Sequence, residues 1–176
     1  EIAYAGCQSG LRTAVAMKQV GLNVASDPLM SAAYMGVNGG FIVVSADDPG
    51  PISSQTEQDS RLMAMMARIP VLDPDTPHLA KAMIGMAYEL SETFNSPVML
   101  RPTTRVCHSR QDVLLENIPR KGREVKFEKD PSRWAATPRF RFHLHTEVEK
   151  KLAVMAQHKP TAPLYFNPET VASRAI

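Results

Sequence analysis

The sequence is poor in cysteine. Its 176 residues include two, Cys7 and Cys107, which lie far apart, without a Cys-x-x-Cys pair or a histidine at ligand spacing. A disulfide-stapled fold or a structural zinc site needs more cysteines, or closer ones, so the sequence argues against both. This usage is typical of a reducing compartment, and we expect a cytoplasmic protein that holds no metal through these residues.

Long hydrophobic runs and common catalytic fingerprints are also missing. No apolar run approaches the roughly 18 residues of a membrane span, and no stretch resembles a signal peptide, so we expect no membrane contact. A Walker loop, a GxGxxG turn, a GxSxG elbow and an HExxH helix are all absent. This argues against the enzyme classes that those motifs mark, and Gly36, Gly39 and Gly40 are interpreted as turn glycines.

The charge that is present is unevenly distributed. Residues 1–104 carry 6 Lys/Arg and 10 Asp/Glu, whereas residues 105–176 carry 14 and 8. A basic segment can be a nucleic-acid patch, or a solvated linker that lies against an acidic neighbour. The basic residues are scattered among prolines without a recognisable nucleic-acid-binding module, which favours the linker and no nucleic-acid partner.

Short apolar runs alternate with amphipathic stretches over the first hundred residues. Strands are predicted at 11–17, 41–46, 70–73 and 97–101, and helices at 1–9, 24–35, 55–67 and 76–94. Gly21 and Asn23 are predicted to open a turn. Strands that alternate with helices over short connections predict an α/β fold with a doubly wound, mostly parallel sheet.

Two of the predicted helices have recognisable starts. Thr76 is the expected N-cap of one, with Pro77 at the first helical position. Apolar spacings of three and four predict its core-facing stripe: Leu79, Met83, Ala87, Leu90 and Phe94. In the other, Ser54 and Glu57 fit a capping box, and the predicted core face holds Leu62, Met63, Met66 and Ala67.

The regular pattern ends near Ser109. Residues 116–141 combine prolines and basic residues without an apolar period, so they predict an extended linker, held to a neighbouring surface by Trp134 and the phenylalanines of 139-RFRFHLH-145. One more helix is predicted at 146–157, and 163–170 predicts a connection into a further domain. We therefore expect an α/β domain over 1–110 and a linker with a helix over 111–176. Because the chain starts at Glu1 inside a helix-like pattern, we expect an N-terminally truncated fragment.

Three polar loops follow predicted strands: 18-KQVGLN-23, 47-DDPGPISSQTEQDSR-61 and 101-RPTTRVCHS-109. Ligands of open parallel sheets bind outside the carboxyl ends of the strands, so the three loops form a candidate crevice. Two guanidiniums and two hydroxyls, from Arg101, Thr103, Thr104 and Arg105, fit a carboxylate or phosphate clamp. The second loop is equally consistent with a turn and a helix cap, and His108 with a structural polar residue.

These loops also carry a family resemblance. The segments 17-MKQVGLNVASDPLM-30, 46-ADDPGPISSQTEQDSR-61 and 101-RPTTRVCHS-109 resemble, in this order, the α subunits of indolepyruvate ferredoxin oxidoreductases. The resemblance covers about residues 1–110, and the linker to about 168 more loosely. It implies the pyrimidine-binding domain of the thiamine-diphosphate-binding fold, in an enzyme that converts arylpyruvates to acyl-coenzyme A thioesters with ferredoxin as electron acceptor.

The resemblance also implies cofactors and partners. Thiamine diphosphate would be bound with Mg²⁺ that another domain holds, and [4Fe-4S] clusters would lie elsewhere in the full-length protein. A partner β subunit, ferredoxin, coenzyme A and an oligomeric assembly are expected. The catalytic glutamate of the family, in an Asn-Glu-x-x-Ala motif, is expected about five residues before Glu1, so the isolated fragment is expected to be inactive.

Site residues follow from the same resemblance by position. Gly21, Leu22 and Asn23 match the loop beside the cofactor. The segment that lines the substrate side includes Ser53, Ser54, Gln55 and Arg61. Oxoacid or coenzyme contacts are expected from Arg101, Thr103, Thr104 and Arg105.

Two other functions are compatible with the residues. One is the same domain in a non-oxidative thiamine-dependent decarboxylase, which would lack the ferredoxin-like CxxCxxCxxxCP repeat outside this chain. The other is a non-catalytic α/β module that binds a ligand or a partner protein.

Overall fold

Four parallel strands form the centre of the fold. The computed structural model describes residues 1–115, 124–135 and 137–158. Strands β1 (Thr13–Lys18), β2 (Phe41–Ala46), β3 (Val71–Leu72) and β4 (Val98–Leu100) pair in the order β1-β2-β4-β3. Every pairing is parallel, with Val43 opposite both Val15 and Met99. The predicted parallel sheet and its four strands are confirmed.

Helices cover both faces of the sheet, as expected for a doubly wound fold. They are α1 (Ile2–Gln8), α2 (Gln19–Val24), α3 (Ser26–Met35), α4 (Ser60–Ala67), α5 (Pro77–Phe94), α6 (Thr104–His108), α7 (Pro131–Trp134) and α8 (Pro138–Met155). Successive strand residues point to opposite faces, so Ile42 packs with α5 while Val43 packs in the core beneath α1 to α4. The two buried layers hold the carboxyl ends of β2 and β4 in fixed positions.

Helix α5 confirms its sequence prediction closely. The Thr76 hydroxyl accepts a hydrogen bond from the Leu79 N–H at 3.2 Å. Met83, Ala87, Leu90 and Phe94 are buried on the sheet, and Leu79 is partly buried beside them. The helix ends at Asn95, which adopts the left-handed conformation that asparagine tolerates (φ 49°).

Two predictions near the loops are wrong. Gly21 and Asn23 lie within α2 and do not open a turn. Helix α4 starts at Ser60, five residues later than predicted, because the Asp59 carboxylate caps it by accepting the Arg61 N–H at 3.0 Å. The proposed capping box around Ser54 therefore does not form.

The predicted core-facing side of α4 is confirmed for Met63 and Ala67 and wrong for Leu62 and Met66. Ala64 and Ala67 face the core, and Met63 packs partly against it. Leu62 and Met66 are 65% and 66% exposed. The core-facing side of α4 therefore consists of Met63, Ala64 and Ala67.

The basic C-terminal region is more helical than the sequence indicates. Helix α8 begins at Pro138, and α7 occupies 131–134, so the extended linker is wrong for these residues. Leu144 and Val148 provide the buried anchors, whereas Phe142 is 87% exposed. Trp134 packs partly against the core, as predicted. The predicted connection at 163–170 and linker residues 116–123 lie outside the described residues.

Polar contacts complete the docking of α7 and α8. Arg133 donates to the Met35 carbonyl at 3.0 Å and to the Glu147 carboxylate at 2.7 Å. These bonds connect the end of α3 to both C-terminal helices. In the ranges that the structure describes, no helix combines the length and the apolar character of a membrane span.

The two cysteines are expected to differ in reactivity. Cys7 is fully buried and its thiol donates to the Gly39 carbonyl at 3.1 Å, while Cys107 is exposed. Burial raises the pKa of Cys7 to about 11, and the thiolate is the nucleophile. At pH 8 iodoacetamide should modify Cys107 alone in the native chain and both cysteines after denaturation, as read by mass spectrometry. Equal native labelling of Cys7 would contradict this placement.

Candidate functional site at the carboxyl ends of the strands

The loops after β2 and β4 meet directly at one edge of the sheet. Asp47, the first residue after β2, forms a bridge with Thr103, and its carbonyl accepts the Thr104 N–H at 2.9 Å. The carboxylates of Asp47 and Asp48 are both almost fully buried. This bridge joins two of the three loops in the predicted crevice, and the third, 18–23, reaches the loop after β2 through the bond from Lys18 to Ser53.

A buried ion-pair network lies beneath this edge. Arg101 donates to the Asp47 carboxylate at 2.8 Å and to the Asp73 carboxylate at 3.0 Å, and its side chain is 8% exposed. Asp47 also accepts the Ser60 N–H at 2.9 Å, and the Ser60 hydroxyl bonds to it as well. Burial acts to lower the pKa of Arg101, but its bonds to Asp47 and Asp73 outweigh burial and raise it. The Arg101 side chain, which follows β4, therefore connects the ends of β2, β3 and β4. Its positive charge is balanced by the carboxylates of Asp47 and Asp73.

Asp48 organises the start of the long loop. Its carboxylate accepts the N–H groups of Ile52 at 3.2 Å and Ser53 at 2.9 Å, and the Thr104 hydroxyl at 2.7 Å. The bonds from the Ser53 N–H and then from the Thr104 hydroxyl lower the pKa of Asp48 well below the usual range. One buried carboxylate thus couples the loop after β2 to the loop after β4.

Arg61 is held at the other end of the loop. Its guanidinium donates to the Asp59 carboxylate at 2.6 Å and lies 3.4 Å from the Asp73 carboxylate. The bond to Asp59 raises the pKa of Arg61. This side chain is half exposed, and two aspartates share its charge.

A cleft of about 930 Å³ opens above the network. Ser53, Thr103, Thr104 and Arg105 line it, together with His108. Four of the predicted substrate residues therefore share one surface. Ser54, Gln55, Arg61 and Arg101 lie outside the lining of this cleft.

A separate groove of about 1110 Å³ runs along β1. Its walls are mostly apolar and include Met17, Gly21 and Val24, with Glu1 at one end. Of the three predicted cofactor residues, Gly21 lines this groove, Leu22 is buried in the core and Asn23 is exposed. A Cβ on Gly21 would come within 3.1 Å of the Met17 Cβ, so glycine keeps the groove open where α2 meets β1. Apolar walls with a single carboxylate suit the faces of a heteroaromatic ring, so these residues fit the pyrimidine group that the family resemblance implies.

Four residues with a role in this geometry were missed by the sequence reasoning. Lys18 donates to the Ser53 hydroxyl at 2.9 Å. Gln19 is 1% exposed; its side-chain nitrogen donates to the Thr56 carbonyl at 3.3 Å, and its Oε1 is buried without a protein partner. Lys18 is the last residue of β1 and Gln19 follows it, and Asp47 and Asp48 are the first two residues after β2. Their place at the carboxyl ends of two strands could have identified all four.

Curated proteins that share one name match the chain over most of its length. No family model matches the chain. The chain is 45% identical over 168 residues to "Indolepyruvate oxidoreductase subunit IorA" of Thermococcus kodakarensis, covering 93% of the chain and 26% of that protein. The proteins of the same name from Pyrococcus abyssi and Archaeoglobus fulgidus are 47% identical over 150 residues (82% of the chain, 23% of that protein) and 42% identical over 169 residues (95% and 26%).

The chain spans about a quarter of the length of the curated relatives it matches. Identity above 40% along nearly the whole chain, in relatives that share one name, is far beyond chance similarity. Over the segment that it spans, the chain belongs to the family of indolepyruvate oxidoreductase IorA subunits.

Proposed function

We propose that this segment forms the pyrimidine side of a thiamine diphosphate site in an oxidoreductase that acts on arylpyruvates of the indolepyruvate type. The observation that carries the proposal is the likeness to indolepyruvate oxidoreductase subunits over 93% of the chain. The apolar groove along β1 supports the proposal because it suits an aromatic ring. The cleft supports it through the hydroxyls of Ser53, Thr103 and Thr104 and the charge of Arg105, although Asp73 and Asp75 also line it.

The cofactor would bind with its pyrimidine ring in the β1 groove, against Met17 and Gly21. When bound, thiamine diphosphate supplies a carbon nucleophile for the keto group of a 2-oxoacid. In this proposal Mg²⁺ is held by another domain and the [4Fe-4S] clusters lie outside this segment. Ferredoxin, coenzyme A and a partner β subunit complete the enzyme, which we place in the cytoplasm.

This chain's own residues would bind and orient the substrate. Ser53 and Thr103 present hydroxyl groups to the cleft, and Arg105 adds an exposed positive charge. The Arg101 network beneath the cleft holds the two loops at a fixed spacing. A rigid base of this kind keeps substrate groups in place without further ordering when the substrate binds.

The test is turnover by the full-length protein with its partner subunit under anaerobic, reducing conditions. With indolepyruvate, coenzyme A, thiamine diphosphate and Mg²⁺, we expect substrate-dependent reduction of ferredoxin. Release of an aldehyde without ferredoxin reduction would support the non-oxidative decarboxylase. A complex that neither turns over indolepyruvate nor binds the cofactor would support the non-catalytic module.

A further inference from the structure

The cations at the strand ends are unequally available to a ligand. Arg101 is committed to the carboxylates of Asp47 and Asp73, and Arg61 to the carboxylate of Asp59. Because Arg101 is buried, a substrate carboxylate could reach its guanidinium only by displacing a protein carboxylate, whereas Arg61 is half exposed and shares its charge with Asp59 and Asp73. Of the two arginines in the clamp expected from the sequence, Arg101 is thus used to hold the fold together, while Arg105 is exposed at the cleft.

Lys18 is placed differently. Its ammonium group donates to a neutral partner, the Ser53 hydroxyl at 2.9 Å, and lies 3.9 Å from the Asp48 carboxylate. Asp48 already accepts three shorter hydrogen bonds, from Ile52, Ser53 and Thr104. An ammonium group has three N–H donors, so Lys18 keeps donors for a ligand while remaining bonded to Ser53.

Lys18 connects a residue of the β1 groove to a residue of the cleft. It follows Met17, which lines the β1 groove, and its side chain reaches Ser53, which lines the cleft. Its side chain is 42% exposed and therefore accessible from solvent. The neighbouring Gln19 has a buried Oε1 without a protein hydrogen-bond partner.

We infer that Lys18 and the Ser53 hydroxyl bind the carboxylate of the 2-oxoacid substrate, with Lys18 as the principal cation. The inference rests on the proposed function, which requires an anionic substrate whose keto carbon lies near the groove and whose carboxylate is held beside it. A carboxylate at this point accepts bonds from the ammonium group and from the hydroxyl. Ser53 is already oriented by its own N–H bond to Asp48.

The test is calorimetric binding of two non-reacting probes to the full-length protein with its partner subunit. Indole-3-propionate carries the carboxylate, and indole-3-propanamide replaces it with a neutral amide. For the wild type we expect tighter binding of the carboxylate. Lys18→Met should weaken binding of the carboxylate about 10- to 100-fold and leave the amide nearly unchanged, since hydrogen bonds to charged groups contribute about 1.5–3 kcal/mol.

Three further variants make the result specific. Lys18→Arg keeps the charge and should restore part of the preference, while Lys150→Met, on the exposed side of α8, should bind both probes like the wild type. Arg105→Met tests whether Arg105, the other cation at the cleft, binds the probe carboxylate in place of Lys18. Loss of the carboxylate preference in Arg105→Met but not in Lys18→Met would overturn the inference.

Thiamine diphosphate binding by the same samples separates this inference from the proposed function. A Lys18→Met complex that binds the cofactor normally but has lost the preference for the carboxylate supports both. A wild type that binds the cofactor without preferring the carboxylate overturns the role of Lys18 alone. A wild type that binds neither the cofactor nor the carboxylate probe overturns both.

Discussion

Replacing Arg101 by leucine is expected to lower the free energy of unfolding by about 3–5 kcal/mol, since it leaves the buried Asp47 carboxylate without its cation. Arg101 also holds Asp73, so the loops after β2, β3 and β4 lose a common tie. Urea unfolding of the chain, followed by circular dichroism, measures the change. Arg110→Leu, at an exposed position, is the matched control and should stay within about 0.5 kcal/mol of the wild type.

A double variant distinguishes the net stabilisation by the ion pair from the free-energy cost of leaving one of its charges buried and unpaired. Asp47→Leu/Arg101→Leu removes both charges together, so we expect it to recover part of the stability that Arg101→Leu loses. If Arg101→Leu unfolds at the same urea concentration as Arg110→Leu, the buried network does not stabilise this edge of the sheet.

Replacing Asp48 by asparagine is expected to release the loop after β2 while leaving the sheet folded. Both N–H groups bond to the same carboxylate oxygen, so the amide oxygen can still accept them, but these bonds become weaker without the negative charge. The NH₂ group, at the position of the other oxygen, cannot accept the Thr104 hydroxyl. Hydrogen exchange at these two amides should accelerate about tenfold or more, while exchange in β2 and β4 stays unchanged. Thr104→Val, which removes only the hydroxyl donor to Asp48, should give a smaller acceleration.

The pH dependence of this loop follows from the ionised state of Asp48. The pKa of Asp48 is lowered in the folded chain, so its stabilising contribution is fully present above the ordinary aspartate pKa of about 3.9 and is lost as the pH falls below it. Normalised protection of Ile52 and Ser53 should therefore be flat between pH 5 and pH 8. Unchanged exchange in Asp48→Asn, or a large loss of protection near pH 7 in the wild type, would show that another group holds the loop.

In the full-length complex, Asp48→Asn should affect the substrate more than the cofactor. Ser53 depends on Asp48 for its orientation, whereas Met17 and Gly21 line the groove on another part of β1 and α2. We expect the KM for indolepyruvate to rise about tenfold or more and thiamine diphosphate affinity to hold. An equal weakening of indolepyruvate and thiamine diphosphate binding would indicate a general loss of structure.

The parts of the fold that could be predicted have local causes. The β-branched run 41–46 and the Thr76-Pro77 cap specify a buried strand and a helix start from their own residues, and both formed as expected. The apolar stripe of α5 likewise repeats at helical spacing without help from its neighbours.

The incorrect predictions concern helices whose bounds depend on residues that are distant in the sequence. The start of helix α4 at Ser60 is fixed by Asp47, thirteen residues earlier, which binds the Ser60 N–H and hydroxyl, in addition to the Asp59 cap. The spacing around Ser54 does not reveal the contact with Asp47. Helix α8 buries Leu144 against the surface of α3. Without that contact, the sequence of its first half alone predicts a linker. The site shows the same limit. Strand-end loops indicated where it lies, but only the ion pairs show that Arg101 is occupied while Lys18 keeps donors for a ligand.

The central claim is that this segment forms one side of a thiamine diphosphate site, and calorimetry tests it most directly. Titration of the full-length protein and its partner subunit with thiamine diphosphate, under anaerobic and reducing conditions, should show saturable binding that requires Mg²⁺. Absence of binding in the presence of Mg²⁺ would contradict the account, and binding that does not depend on the metal would contradict its assignment of the diphosphate to a separate, Mg²⁺-holding domain.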